Sequence, residues 1–442
     1  MKRLSWKRFV VVFALVEMVA SMPMLMDSQA VAQQQKVLKI GSLVPLNLKE
    51  GVEIQKWMNL FAKIYNEQGG WQIGCEKYKV EINIYDHAMD PAKMRSAAEK
   101  AVLQDGVKYL LNNWSDNQPQ TVTITEPNKV LVLAGGFTPD LAKPNLQYYI
   151  RTGGVFFGSG SPYTIQRDYV ARGAKTDIMV TTDNEVGHFG SKLWASSAKL
   201  AGLEILPDVF FNPDTVDFGP IATKVKSYNP DVVELPFISG DTVTNIISAL
   251  KDVGFKGMVY PGNLVPFTLE NAVKKIGKEY LEGMEVQVFD PRGIMKNPKI
   301  LALYDRYTKE YGEFRTEGCW WVGGWFFFED AVNATKSIDI DVLRNYLFNS
   351  KKGVATLEGH SQLFARPDLQ NFRTIDVAPG HPVGMIKNGK LVPIKQVSVK
   401  DQYLVAIKCY NLVDVYQKYW DQYGYPKFPD EPSLYDFADM KK

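Results

Sequence analysis

The stretch VKYLLNNWSDNQPQTVTITEPNKVLVLAGGFTPDLAKPNLQYYIRTGGVF, residues 107–156, decides the fold. Its first five residues are an apolar run rich in branched and aromatic side chains, and they predict a buried strand. A polar turn from Asn112 to Asp116 follows, with Trp114 as its one large ring, and then a helix from Gln118 to Glu126. A second run, VLVLA (130–134), stops at Gly135-Gly136-Phe137-Thr138-Pro139. A third, YYIRT (148–152), stops at Gly153-Gly154-Val155-Phe156. Strand, helix and strand with short connections make the right-handed crossover of a parallel sheet. Open parallel sheets collect ligands beyond the carboxyl ends of their strands. The turns at those ends carry Trp114, Ser115, Phe137, Thr138 and Phe156, beside glycines that let a ligand approach the backbone. They read as half of a small-molecule pocket; the plainer reading is ordinary turns whose rings pack as core.

The same grammar extends in both directions. Upstream, Val37–Leu43 predicts a strand, and a helix over Val52–Glu67 carries Ile54, Trp57, Met58, Phe61 and Ile64 on one stripe. Trp57 on that stripe reads as core, with a reach into the pocket as the other option. Val80–Tyr85 alternates as a strand, and Asp90-Pro91 opens a helix to Gln104 as N-cap and first helical residue. This order is a doubly wound α/β lobe. Downstream the pattern starts again, with a helix over Pro162–Arg172, a strand over Asp177–Thr182 and a helix from near Phe189-Gly190. Strands over Ile205–Phe211 and Val232–Phe237 flank a helix over Val216–Tyr228. Ser239-Gly240-Asp241 caps a further helix to Val253, and Met258–Tyr260 is a strand. Helices over Ile300–Tyr311 and Cys319–Thr335 follow, the second so crowded with Trp320, Trp321, Trp325 and Phe326–Phe328 that it must be buried. Residues 354–394 turn short-stranded. The last forty residues, rich in aromatics from Tyr410 to Phe428, are too apolar for a linker and are expected to strap onto one lobe.

Residues 1–32 look like an export signal. Lys2, Arg3, Lys7 and Arg8 precede an apolar run, Phe9–Val16, and Ala30-Val31-Ala32 fits a small-x-small cleavage site. The run is shorter than the ~20 residues that span a bilayer. A soluble, periplasmic or otherwise extracytoplasmic mature chain is expected. Cleavage takes four Lys/Arg and two Asp/Glu from totals of 51 and 49, leaving 47 of each. That balance argues against nucleic acid or an anionic membrane as partner. About 410 residues exceed one ordinary core, so two lobes are expected. The three cysteines, Cys75, Cys319 and Cys409, permit one disulfide without naming the pair. No HExxH, GxSxG or Cys/His cluster is present, and the four histidines are scattered. No catalytic residue, metal or cofactor is expected.

Several segments together resemble the type I periplasmic solute-binding proteins, the leucine/isoleucine/valine-binding branch that serves ABC importers. They are KIGSLVPL (39–46), YNEQGGW (65–71), IYDHAMDPAKMRSAAEKAVLQDGVKYLL (84–111), YIRTGG (149–154), TTDNEVGHFG (181–190), YNPDVVELP (228–236) and GDTVTNIISALKDVGFKG (240–257). The resemblance implies two doubly wound parallel-sheet lobes joined by a hinge and closing over a ligand. Its implied division is 33–155 and 263–380 for lobe 1, 156–262 and 381–400 for lobe 2, and 401–442 as an aromatic extension. It implies a monomer that hands its ligand to a membrane permease, or a soluble sensor that presents it to a receptor.

Carried over residue by residue, the resemblance puts a ligand carboxylate against Trp114, Ser115, Gly136, Phe137 and Thr138. The second-lobe aromatic before a glycine corresponds to Phe189-Gly190. The acidic residue that receives an ammonium falls on Phe156, and a second falls near Asp241. An α-ammonium without an acidic partner is a buried unpaired charge, which costs several kcal/mol. Trp114, Phe137, Phe156 and Phe189 are therefore expected to form an aromatic box for a flat aromatic or hydrophobic carboxylate. A quaternary ammonium compound or a branched-chain amino acid is the alternative.

Overall fold

The computed structural model describes residues 35–437 except 115–117, 136–145, 154–155, 239, 263, 265, 288–291, 293, 313–317 and 370–374, together with residue 440. The export signal expected over residues 1–32 lies outside them.

The first sheet is built from β1 (Lys36–Val44), β2 (Trp71–Ile73), β3 (Glu76–Asp86), β4 (Tyr109–Trp114), β5 (Leu131–Gly135) and β6 (Tyr149–Gly153), in the order β2-β3-β1-β4-β5-β6. Helices α1 (Lys49–Glu67), α2 (Pro91–Glu99) and α3 (Gln118–Thr125) connect them. β4 pairs in parallel with β1 and β5, and β5 with β6. Leu111 and Leu133 face the core that holds α1, while Leu110 and Val132 face the one that holds α2. Burial on both faces is why these runs are apolar without alternation. Asp90 caps α2 by accepting from the Lys93 N–H at 2.8 Å. Trp57 is fully buried, 4.5 Å from the Tyr307 ring, so it is core.

The second sheet holds β7 (Thr176–Thr182), β8 (Glu204–Ile205), β9 (Val209–Phe211), β10 (Val232–Glu234) and β11 (Met258–Tyr260). Its order is β11-β10-β7-β8, with β9 also on β7 and all pairs parallel. Helices α4 (Gly160–Ala171), α5 (Glu185–Ala201), α6 (Gly219–Ser227), α7 (Asp241–Asp252) and α8 (Pro266–Ile276) belong to it. α5 begins four residues before the expected Phe189, because the Asn184 side chain accepts from the Gly187 N–H at 2.8 Å and caps it there. The return to lobe 1, expected at 263, comes only after β12 (Glu285–Gln287). Leu269, Ala272, Ile276 and Val286 complete the core that Ile247 and Val259 begin, and without them that face of the sheet would be bare.

α9 (Pro298–Tyr311), a 3-10 turn (Cys319–Val322), α10 (Gly323–Thr335) and α11 (Ile340–Asn349) then bury Tyr304, Trp325, Phe328 and Leu343 in the first core. An antiparallel sheet of β13 (Val354–Thr356), β14 (Gly359–Ala365) and β15 (Ile375–Pro379) adds Leu363 and Val377 to it. β16 (His381–Lys387) and β17 (Lys390–Val397) join β12 on the second lobe. The chain therefore crosses between lobes after β6, after β12 and between β15 and β16. The tail is folded as α12 (Val399–Cys409), α13 (Val413–Tyr423) and the segment to 437. It shares a separate aromatic core with Phe156, Phe157 and Phe364 rather than lying on one lobe. All three cysteines are free thiols.

Candidate ligand-binding cleft

From β1 the chain builds β3 on one side and β4 on the other, which puts the first sheet's switch point between the ends of β1 and β4. One residue ties these ends together. His87, fully buried just past β3, donates its backbone N–H to the Val44 carbonyl at 3.2 Å. Its Nδ1 accepts from the Met89 N–H at 3.1 Å, which leaves Nε2 to carry the proton and donate to the Trp114 carbonyl at 3.1 Å. Burial holds this imidazole's pKa below its ordinary value, in line with the neutral tautomer those bonds require. The turn is strained to reach it, with Ala88 and Met89 at φ +46° and +59°.

β4 continues through Asn112, Asn113 and Trp114, where the sequence predicts a turn. Asn112 sits at φ +56°, where the ladder register shifts, forming a bulge of the kind that re-aims the next side chains. Both buried amide oxygens are bonded: Asn112 Oδ1 accepts from the Trp325 N–H at 3.1 Å, and Asn113 Oδ1 from the Leu43 N–H at 2.8 Å. Beyond the bulge, half-buried Trp114 stacks on Trp321, with centroids 5.2 Å apart and planes at 27°. Trp321 lies across the ends of β5 and β6. A Cβ on Gly135 would stand 2.5 Å from its ring, and one on the paired Gly153 3.4 Å. These glycines thus make room for a resident tryptophan, which is buried in the first core as the sequence predicts but also lies over two strand ends. The signal for it was present in two glycine-ended adjacent strands and an adjacent Trp320-Trp321 pair.

On the second lobe, Phe189 of α5 stacks on Phe237 at 6.2 Å and 26°. Phe237 follows β10 at φ +56°, a strained position for a bulky residue at that sheet's own switch point. Asp241, exposed at the start of α7, accepts from Asn271 Nδ2 at 3.2 Å. Asp183 and His188 pair at 2.8 Å on the surface, with the imidazole 4.1 Å from the Phe210 ring. Deeper, Asp177 of β7 and Glu234 of β10 are fully buried neighbours. Gln166 Nε2 donates to Glu234 at 2.9 Å, but neither Asp177 oxygen meets a donor among the described residues. Burial raises the pKa of both carboxyls, so the pair retains a proton that supplies the missing donor.

Residues 56–378 match the family model described as periplasmic binding protein. The chain belongs to that family. A Brucella melitensis protein named Leu/Ile/Val-binding protein homolog 6 is 24% identical over 267 residues, which are 57% of this chain and 64% of that protein. The matched stretch therefore spans less than two thirds of that relative. The leucine-binding protein of Thermotoga maritima superposes with a TM-score of 0.67 at 18% identity, covering 81% of this chain and 98% of its own. A solute-binding protein of an R. palustris ABC transporter, in complex with benzoate, superposes with a TM-score of 0.64 at 16% identity, covering 81% and 96%. At these identities the two structures share the fold.

In this periplasmic binding protein the described part of the expected site does not close into one ring cluster. Ser115, Gly136, Phe137 and Thr138 lie outside the described residues. Phe156 opens a 3-10 turn (Phe156–Ser159) and is buried in the tail's core. The Arg366 guanidinium lies 3.4 Å from its ring centroid, and Tyr410 stacks on it at 4.8 Å and 13°. Asp368 holds Arg366 at 2.7 Å and accepts from the Tyr416 hydroxyl at 3.0 Å. Among the described residues no ring contact joins Trp114, Phe156 and Phe189 to one another. At the third crossing, Trp320 stands edge-on to His381 at 4.6 Å, and buried His381 faces Glu358 at 3.4 Å.

Proposed function

We propose that the protein is an extracytoplasmic solute receptor that captures a flat aromatic carboxylate between its lobes and passes it to an ABC importer. The observation that carries this reading is the Trp114–Trp321 stack at the first sheet's switch point, a flat wall built over Gly135 and Gly153. In this reading the opposing wall is a second ring pair, Phe189 stacked on Phe237. A planar acid takes both stacking surfaces, with its carboxylate toward Ser115, Gly136, Phe137 and Thr138, the positions the family resemblance gives it. Where the family resemblance expects an acid to receive an ammonium, Phe156 stands beneath a guanidinium instead, which disfavours an amino acid. Asp241 is the carboxylate left to serve one. Binding on one lobe and contact with the other favours the closed form, and that differential affinity is what an importer reads.

The rival reading is leucine, after the name of the Thermotoga protein. A thermal-shift screen of benzoate, 3,4-dihydroxybenzoate, leucine and glycine betaine separates the two. A ligand at 100 times its Kd adds about 2.7 kcal/mol, which for a chain of this size is a rise of roughly 3 °C. The benzoates are expected to give that rise, and Trp114→Ala to abolish it. A rise with leucine alone overturns the aromatic reading.

A further inference from the structure

We propose that the C-terminal extension, residues 399–437, is a clasp that couples two of the three lobe crossings and limits how far the lobes swing apart. This goes beyond solute capture and does not depend on which ligand is bound.

One edge of the clasp is fixed to lobe 2. α12 starts one residue after β17, with Ser398 and Asp401 forming a capping box. Buried Gln402 accepts from the Gly160 N–H at 2.7 Å and donates to Ser161 Oγ at 2.8 Å, gripping the start of α4 directly after the first crossing. A Cβ on Gly160 would stand 2.7 Å from that amide, so the approach needs glycine. The Tyr435 hydroxyl donates to Thr164 Oγ1 at 2.9 Å. Asp401 accepts from Ser433 Oγ at 2.5 Å and the Leu434 N–H at 3.0 Å, folding the terminal segment back onto α12.

The other edge is fixed to lobe 1. Gln362 of β14 donates to the Lys427 carbonyl at 2.8 Å, and His360 pairs with Glu431 at 2.8 Å. Pro429 occupies the space beside Gly353 where a Cβ would fall at 2.6 Å. Between the edges, the Tyr403 ring lies 4.2 Å from Phe364 of β14 and 5.0 Å from Phe157 of the crossing turn. β15, the strand before the third crossing, turns Val377 to the first lobe's core and Ala378 to the clasp's core.

Hinges move by changing φ and ψ at a few residues, and those beside the first and third crossings are walled by one helix. A rotation that keeps Gln402 on Gly160 must draw Glu431 away from His360, or the reverse. Close-packed rings between the two edges do not stretch to absorb the difference.

The test is hydrogen exchange and small-angle scattering on the unliganded full chain. One variant, His360→Gln with Gln362→Ala, loosens the lobe 1 edge; another, Gln402→Ala, loosens the lobe 2 edge; Tyr435→Phe is a milder version of the second. Losing either edge is expected to speed exchange at both 157–161 and 375–379 by about tenfold, the scale of one or two hydrogen bonds. The radius of gyration is expected to rise with it. If each variant speeds exchange only beside its own substitution and the radius of gyration is unchanged, the clasp is packing and does not couple the crossings.

Discussion

Gly135→Ala tests the resident-tryptophan wall directly. The added methyl would stand 2.5 Å from Trp321 Cε3 and 2.9 Å from Cζ3, far inside van der Waals contact. Trp321 is buried, with Trp114 against it, so the ring has no open side to retreat to. Overpacking of this kind costs about 1–3 kcal/mol. With an unfolding entropy of about 2.1 cal/mol/K per residue, that lowers the thermal midpoint by roughly 1–4 °C. In a Trp321→Ala background the clash is gone, and alanine in place of a strand glycine becomes neutral or stabilising by up to about 1 kcal/mol. The cycle of four proteins, followed by thermal or urea unfolding, is expected to give a coupling of at least about 1 kcal/mol. An equal cost of Gly135→Ala in both backgrounds would refute the geometry.

Three further expectations follow from buried groups. His87 is neutral when folded and its pKa is lowered, so as pH falls below about 6.5 the unfolded chain takes a proton that the native imidazole refuses. The thermal midpoint of the parent should therefore drop between pH 7 and 5 more steeply than that of His87→Gln. The Asp177–Glu234 pair has the opposite sign: its native pKa values are raised, so its stabilisation is complete below the ordinary carboxylate range and is lost as pH rises. Asp177→Asn should accordingly gain on the parent steadily from pH 5 to 8, and parallel curves would sink the shared-proton account. Phe156→Ala removes a ring packed under Arg366 and against Tyr410, at a cost of about 3–5 kcal/mol in urea melts. It should leave the benzoate-induced shift in place; its loss without destabilisation would return Phe156 to the cleft.

Local physics was legible in the sequence. The strand Met258–Tyr260, the Asp90 cap and the buried stripe around Trp57 each depend on residues close together in the chain, so periodicity and capping chemistry suffice. What was hidden depends on distant partners. The tryptophan pair and the glycine-ended strands are each visible, but nothing in the sequence joins Trp321 to Gly135 and Gly153, some 170–190 residues earlier. Asn112 and Asn113 look like turn residues until Trp325 and Leu43 are seen to bond their side-chain oxygens inside a strand. The same limit displaced the lobe boundary from 263 to beyond Gln287, since only the assembled sheet shows which bare face α8 must cover. Phe156 appeared available to a ligand because the arginine and tyrosine that enclose it lie more than 200 residues further on.

The chain visits each lobe more than once, and this has a consequence for how it matures. The first sheet is complete at Gly153, yet the layer that shields its Leu111 and Leu133 face includes Trp325, Phe326 and Phe328 from α10. As the polypeptide lengthens from its N-terminus, that face has only α1 to cover it until about residue 335 has emerged. A nascent intermediate with so much exposed aliphatic surface is slow to settle and prone to self-association, which makes it a natural client for a holding chaperone.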